Sequence, residues 1–393
     1  MRTIIKLLYD TFKKLDLFVF IPFFILSIFG IVMVYSASSD IAIQNGGSPM
    51  GYLVKQTFFF ILSLITIMFI FHANFLRSTK VIATFGMLII IMLVYLFFFG
   101  KSVNGAAGWI SVLGLFNIQP SEITKFYFII FIANHVDHHQ GAIVHHWMRG
   151  MMNIYVYSAL VLILILIQPD IGGTAINAGI IFVMLLASGI RWQRAVGFAA
   201  SIITILFLVF FCILVPVSKH SSIYALQRIV AFTDPFAYSH GIGQQLVNSY
   251  YALSNGGFFG VGLGNSIQKN GYLPEPNTDF IMSIIAEELG FFAIAIVMIL
   301  LTFMVCRIIV IGIRSDDAYS ALVCYGTATY LTIQMLFNVG GVTGLLPITG
   351  VTFPFISYGG SSMVTLSCCL GLVLRISYHQ KLLRNRLINK EGL

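Results

Sequence analysis

The feature that most constrains this chain is a series of ten long apolar runs. About 20 consecutive apolar residues let a helix cross the hydrocarbon layer of a bilayer. The runs cover residues 17–36, 53–71, 80–99, 119–137, 153–168, 171–190, 194–216, 279–306, 317–338 and 354–376. Only 9% of the residues are charged, whereas about 25% are charged in soluble domains. The sequence therefore predicts an all-α integral membrane protein with about ten transmembrane helices, forming one polytopic domain over residues 1–393.

The positions of the basic residues predict how the chain is oriented. Lys and Arg concentrate in the cytoplasmic loops of membrane proteins. With a cytoplasmic N-terminus and ten crossings, 16 of the 22 Lys and Arg fall inside, so both termini are predicted to be cytoplasmic. The longest interruption, 217–278, is then a large extracellular loop between the seventh and eighth helices, and its aromatics, Gly and Pro predict that it folds back on the bundle. Because the basic residues are scattered, the net charge of +8 does not predict a nucleic-acid partner.

Charged residues at membrane depth are costly, so each one is a candidate functional residue. Pro120 opens the fourth predicted helix, and Glu122 and Lys125 follow at a spacing of three residues, which places them on one helix face. Two interpretations stay open. The two charges either form a structural ion pair at the helix end or line the polar wall of a substrate cavity.

The fifth and sixth apolar runs are separated by a short break that contains Gln168, Pro169 and Asp170. Proline ends one helix here, and the following glycines begin the next. Asp170 is a good N-cap for the sixth helix. It could equally belong to a site, because a broken helix also exposes backbone donors.

A glycine-rich stretch runs from Asn255 to Lys269. It lies outside any strand-turn-helix context, so a nucleotide-binding loop is weakly supported, and tight backbone packing explains the glycines better. Asp279 follows at the start of the eighth helix, after two prolines and a threonine. It is either an N-cap or a carboxylate held at the membrane–water boundary to accept a proton.

Three other parts of the sequence complete the candidates that the residues themselves suggest. Glu287 and Glu288 are consecutive on one helix, so at least one should point into the bundle. Arg228 is an outer cation in the long loop. The serines around Ser361 lie in an outer turn with no histidine nearby, which gives a serine hydrolase little support.

Six motifs follow one another along nearly the whole chain. They are Asn104-Gly105-Ala106 with Trp109, Gln119-Pro120-Ser121-Glu122 with Lys125, Gln168-Pro169-Asp170, the glycine-rich segment through Gln268-Lys269, Leu273-Pro274-Glu275 with Thr278-Asp279, and the run from Pro354 to Ser362. In this order they resemble the motifs of the SEDS family (shape, elongation, division and sporulation). The short run from Gly262 to Pro274 favours the division branch over the elongation branch.

The resemblance implies a peptidoglycan glycosyltransferase that joins lipid II into β-1,4 glycan strands outside the cytoplasmic membrane, at the division septum. The reaction needs a general base for the attacking sugar hydroxyl and positive charge for the departing pyrophosphate. Asp279 is the predicted base, and inversion is expected. The predicted substrate-binding residues are Glu122, Lys125, Gln168, Asp170, Arg228, Lys269 and Ser361.

Among these residues, Lys125 and Arg228 are the best outer cations, and Glu122 and Asp170 could orient them or hold a divalent cation, Mg²⁺ or Mn²⁺. The resemblance also implies a class B penicillin-binding protein transpeptidase and other divisome membrane proteins as partners. Three alternatives stay open: a lipid II flippase, a non-catalytic scaffold, and a polymerase of the elongation branch. The outer carboxylates argue against a scaffold alone.

Overall fold

The computed structural model describes residues 14–44, 46–103, 106–112, 116–145, 147–190, 192–209, 212, 215–218, 224–239 and 241–391. A 3₁₀ turn, Asn74–Arg77, joins two of the helices. The helices are α1 (Leu17–Ala37), α2 (Ser39–Gln44), α3 (Pro49–His72), α4 (Thr79–Phe99), α5 (Pro120–His138), α6 (Gln140–His145), α7 (Trp147–Gly150), α8 (Met152–Ile167), α9 (Ile171–Leu186), α10 (Trp192–Val209), α11 (Val215–Ser218), α12 (Tyr224–Thr233), α13 (Gln244–Gly256), α14 (Ile281–Ile313), α15 (Ala318–Thr343) and α16 (Gly360–Glu391).

Each of the ten apolar runs overlaps a helix within the described residues. Within the described residues, α1, α3, α4, α14 and the 360–386 part of α16 are long and apolar enough to cross a membrane, while α8 and α9 are shorter apolar helices. Long apolar helices are what a bilayer requires, because each one satisfies its backbone hydrogen bonds internally. The helical membrane class is therefore supported, whereas ten crossings and cytoplasmic termini stay predictions.

A small antiparallel sheet interrupts the helical architecture and corrects the all-α expectation. Its strands are β1 (Lys101–Val103), β2 (Ala106–Val112) and β3 (Phe116–Ile118), in the order β1-β2-β3. Ile110 lies opposite Ile118 in the register. The strands are too short to give a hydrophobic period that stands out beside 20-residue apolar runs. The sheet leads directly into α5 and so positions the first residues of that helix.

The helix α5 lies at the centre of the bundle. It contacts α4, α9, α15 and α16, and most of its side chains are buried. A helix that is enclosed on all sides can carry polar groups that never meet lipid. This enclosure explains how Glu122 and Lys125 are accommodated inside a membrane protein.

The helix α14 is broken at Gly290, which has φ 76° and ψ −174°. The glycine-rich loop supplies hydrogen-bond partners at the break: Val261 N donates to Glu287 O at 2.9 Å, and Phe291 N donates to Gly257 O at 3.0 Å. A Cβ at Gly260 would overlap Glu288 O. The glycines thus permit close backbone packing, as the sequence predicted, and the first part of α14 is a separate short helix.

The long segment 217–278 is not a bare linker in its described part. It contains α12 and α13, and α13 packs against α14 and α15. Ser249 on α13 donates to Val342 O at 2.7 Å, which ties this helix to α15. In the structure, α13 and the glycine-rich loop pack against the bundle, whereas the extracellular position of the segment stays a prediction.

Candidate active site

Three segments that are distant in sequence meet at the end of the bundle where α5 begins. Gln119 N donates to Ser361 Oγ at 3.2 Å, and Gln119 Nε2 donates to Asp170 Oδ2 at 3.1 Å. Ser361 Oγ in turn donates to Asn117 O at 3.1 Å. The structure therefore brings Asp170 and Ser361 together around Gln119, at the junction of β3, α5, α9 and α16.

Asp170 caps α9 and also joins a polar cluster at the start of α5. Its Oδ1 accepts from Gly173 N at 2.7 Å, so it caps α9. Its Oδ2 accepts from Ser121 Oγ at 2.7 Å as well as from Gln119. The cap and the polar cluster are thus one arrangement, which holds the start of α9 against the start of α5.

Glu122 and Lys125 form an ion pair inside the bundle. Lys125 Nζ lies 2.5 Å from Glu122 Oε1, and Tyr330 OH donates to Glu122 Oε2 at 2.9 Å. The ammonium also lies 5.0 Å from the centre of the Tyr330 ring, and Lys125 is fully buried. A buried charge is stable only with a partner.

Lys269 lies in a second buried cluster, which joins α1, the glycine-rich loop and α14. Its Nζ donates to Glu288 Oε1 at 2.7 Å and to Ser36 Oγ at 3.2 Å. Ser36 Oγ lies 2.7 Å from Glu288 Oε2. Both charged side chains are buried. The structure therefore places Lys269 in an internal ion pair.

Glu287 belongs to the same cluster and anchors the loop that precedes Lys269. Its carboxylate accepts from Asn255 Nδ2 at 2.9 Å, from Ile267 N at 3.1 Å and from Gln268 N at 3.2 Å. Ser266 Oγ also donates to it. The prediction that at least one of the two consecutive glutamates points into the bundle is confirmed for both.

Asp279 is half-buried and lies just before α14. It is not the N-cap, because Phe280 occupies that position and no side chain caps the helix. Thr278 Oγ1 lies 3.1 Å from Asp279 Oδ1 and also 3.1 Å from Glu275 Oε2. Asn338 Nδ2 donates to the main-chain oxygen of Asp279 at 2.8 Å. The residue is thus fixed by its neighbours without serving as a helix cap.

Two other predicted residues have different placements. Gln168 is buried, and its Nε2 donates to Leu93 O at 3.1 Å, which joins the break between α8 and α9 to α4. Arg228 lies in α12, and its side chain falls outside the described part of the structure. Their predicted role in substrate binding stays a prediction.

The carboxylates of the first cluster do not fit a dedicated divalent-cation site as they are placed. Both oxygens of Glu122 accept hydrogen bonds from Lys125 and Tyr330, and both oxygens of Asp170 are engaged. Across the residues that the structure describes, no group of three or more His, Cys, Asp or Glu side chains is placed to hold a metal ion. We derive no step through Mg²⁺ or Mn²⁺, and that cation stays a prediction from the sequence.

Sequence reasoning missed the partners that come from distant helices. Tyr330 and Asn338 on α15 and Ser36 on α1 complete the polar clusters. Their only signal in the sequence is that a polar side chain interrupts an apolar run. Such a side chain indicates burial against a polar partner, but it does not say which partner.

These features define a class: a helical membrane protein with buried ion pairs and a half-exposed aspartate at the end where its loops meet. The chain belongs to the FtsW/RodA/SpoVE family, described as cell cycle protein, which it matches over residues 16–382. It is 38% identical over 391 residues to the probable peptidoglycan glycosyltransferase FtsW of Lactococcus lactis, covering 92% of each chain. The corresponding Bacillus subtilis protein is 37% identical, with 91% of this chain and 89% of that protein covered.

Two solved structures share the fold. One belongs to a peptidoglycan synthase complex that coordinates polymerization and crosslinking, with a TM-score of 0.74, 23% identity, and 93% and 98% of the two chains covered. The other is the rod shape determining protein RodA of Thermus thermophilus, with a TM-score of 0.65, 22% identity, and 92% and 96% covered. The many relatives named FtsW favour the division branch over the RodA branch.

Proposed function

We propose that this chain is an inverting peptidoglycan glycosyltransferase that joins lipid II into β-1,4 glycan strands at the outer face of the bacterial cytoplasmic membrane. Family membership and the relatives named FtsW support this activity and a role in septal wall synthesis. The observation that carries the chemistry is the placement of Asp279, a half-buried carboxylate whose main chain is held by Asn338.

In this mechanism Asp279 is the general base. It accepts the proton of the GlcNAc 4-hydroxyl of the incoming lipid II as that oxygen attacks the anomeric carbon of the donor. The bond to the lipid pyrophosphate breaks in the same displacement, so the α-linked donor becomes a β-1,4 linkage, as in inverting glycosidases. Thr278, whose hydroxyl lies 3.1 Å from Asp279 Oδ1, orients the carboxylate.

The departing pyrophosphate needs hydrogen-bond donors or cations. Gln119, Ser121 and Ser361 give the region around Asp170 a polar wall that suits a phosphate or a sugar. Lys125 would contribute its positive charge to this region, and Arg228 is the second predicted cation. The lipid tails would lie between helices, in contact with the bilayer.

Reconstitution with lipid II tests this function, with the glycan products resolved on a gel. We expect polymer from the wild type with its partner and none from Asp279→Asn. Asp40→Asn is the matched control, because Asp40 is also half-buried and accepts a hydrogen bond from Gln44, which lies beside it on α2. Undiminished polymer from Asp279→Asn would exclude Asp279 as the base.

We further propose that the partner is a class B penicillin-binding protein transpeptidase, acting with other divisome membrane proteins. The structural likeness to a complex that coordinates polymerization and crosslinking supports this. The second candidate function is a lipid II flippase, which the polar cluster around Asp170 would also suit. A flippase would form no polymer, and its Asp279→Asn variant would still move lipid II across vesicles.

A further inference from the structure

Asn338 links Asp279, the proposed base, to a second loop, the 349–361 segment. Its side chain is only 3% exposed. Its Nδ2 donates to Asp279 O at 2.8 Å and to Val351 O at 2.8 Å. An amide nitrogen carries two hydrogens, so both are in use. The side chain therefore fixes the peptide that follows Asp279 relative to the 349–361 segment.

Two further contacts hold the same stretch of chain. Tyr358 N, from the 349–361 segment, donates to Asn277 O at 2.8 Å. The Thr278 hydroxyl lies 3.1 Å from the Asp279 carboxylate. The main chain before the aspartate is thus bound to the 349–361 segment directly, and the main chain after it is bound to that segment through Asn338. The Thr278 contact lies within the loop that carries the aspartate.

The 349–361 segment also reaches the cluster around Asp170. A Cβ at Gly172 would lie 2.6 Å from Thr349 O, so α9 begins in close contact with this segment. At its other end, Ser361 accepts from Gln119 N at 3.2 Å. The 349–361 segment therefore contacts Gln119 and the start of α9, which hold the Asp170 carboxylate. Asn338 links the same segment to Asp279.

We propose that Asn338 is a positioning residue, which sets the place of the Asp279 carboxylate relative to the polar cluster around Asp170 through the 349–361 segment. This inference rests on the proposed function. A displacement of about 1 Å at a reacting group can lower a rate by roughly 100-fold. Asn338 touches neither reacting sugar and acts through the main chain of Asp279.

Asn134 provides a matched control for Asn338→Ala. It is 4% exposed, and its Nδ2 donates to Arg77 O at 2.8 Å near the opposite end of α5. In the reconstituted complex, we expect Asn338→Ala to lower kcat at least about 10-fold with KM for lipid II within about threefold. Asn134→Ala should keep kcat within about twofold, because it loses only a structural hydrogen bond. If Asn338→Ala does not fold, the isosteric Asn338→Asp, which lacks both donors, takes its place.

Hydrogen exchange, measured without substrate, gives the second readout. Amides of residues 277–284 should exchange faster in the Asn338 variant and at the wild-type rate in Asn134→Ala. Unchanged exchange, a kcat within about twofold of wild type, or an equal loss in Asn134→Ala would each overturn the role of Asn338. A wild type that makes no polymer, or an active Asp279→Asn, would instead overturn the proposed function.

Discussion

Lys269 Nζ lies 2.7 Å from Glu288 Oε1, and both side chains are sealed from solvent. The pair joins the glycine-rich loop to the first part of α14. Asp279 follows Lys269 by ten residues along the chain. Ser36 on α1 contacts both charges. The loop that leads to the proposed base is therefore held in place by a buried ion pair.

Removing one member of this pair should destabilise the protein more than removing both. Lys269→Met leaves Glu288 buried without its cation, and Glu288→Gln leaves the ammonium unpaired, each at a cost of about 3–5 kcal/mol. The double variant leaves no lone charge, so its thermal midpoint in detergent should exceed that of either single variant. A double variant with the summed loss would show that the two charges do not interact.

Gly260 should tolerate a side chain less well than Gly264. Both have positive φ, 78° and 86°, so alanine at either position costs roughly 1–2 kcal/mol of backbone strain. A Cβ at Gly260 would also overlap Glu288 O, whereas nothing lies within 4 Å at Gly264. Denaturation should therefore show a larger loss of unfolding free energy for Gly260→Ala. Equal losses would mean that the loop does not dock at the break in α14.

The Asp16 carboxyl should make stability depend on acidity. Burial raises its pKa, but hydrogen bonds from Arg307 and Ser377 outweigh this, and the pKa lies below its ordinary value of 3.8. The ionised Asp16 carboxylate therefore stabilises the folded protein fully above its ordinary pKa. This stabilisation is lost as pH falls through the lower pKa that the group has in the folded protein. The thermal midpoint of Asp16→Asn should fall less steeply than that of the wild type on acidification below about pH 4.

The exposed Asp316 supplies the comparison for this measurement. Asp316→Asn should keep the wild-type acid dependence, because an exposed carboxyl contributes little to folding. Parallel curves for the wild type and Asp16→Asn would contradict the role assigned to the Arg307 ion pair.

Labelling tests the predicted orientation. In a variant whose five cysteines are replaced, Gln244→Cys, exposed at the start of α13, should react with an impermeant thiol reagent on intact cells. Asp316→Cys, exposed between α14 and α15, should react only after permeabilisation. The opposite pattern would reverse the predicted topology.

The helices were predictable because a bilayer imposes one strong requirement on sequence. The apolar run at residues 80–99, for example, has the length that the hydrocarbon layer demands, and a helix, Thr79–Phe99, forms there. The sheet that includes β2 escaped prediction, since three short strands carry little periodic signal. Length and hydropathy thus predicted the helical class, whereas the small sheet depends on local strand pairing that they do not indicate.

The candidate site was predictable in its residues but less so in their partners. The spacing of Glu122 and Lys125 on one helix face already predicts a pair, because a helix fixes the direction of side chains three residues apart. Lys269 was expected to face substrate, yet it faces Glu288, since the loop turns back at the break in α14. Only that turn determines where the ammonium points.

The sequence alone determined that this chain is a helical membrane protein and that Asp279 stands where a helix begins, because both follow from patterns within one segment. The tertiary structure decided that Asn338 holds Asp279 and that Tyr330 joins Glu122, partners 59 and 208 residues apart. Contacts between residues so far apart in sequence depend on how whole helices pack. Hydropathy does not indicate which polar groups come into contact when they do.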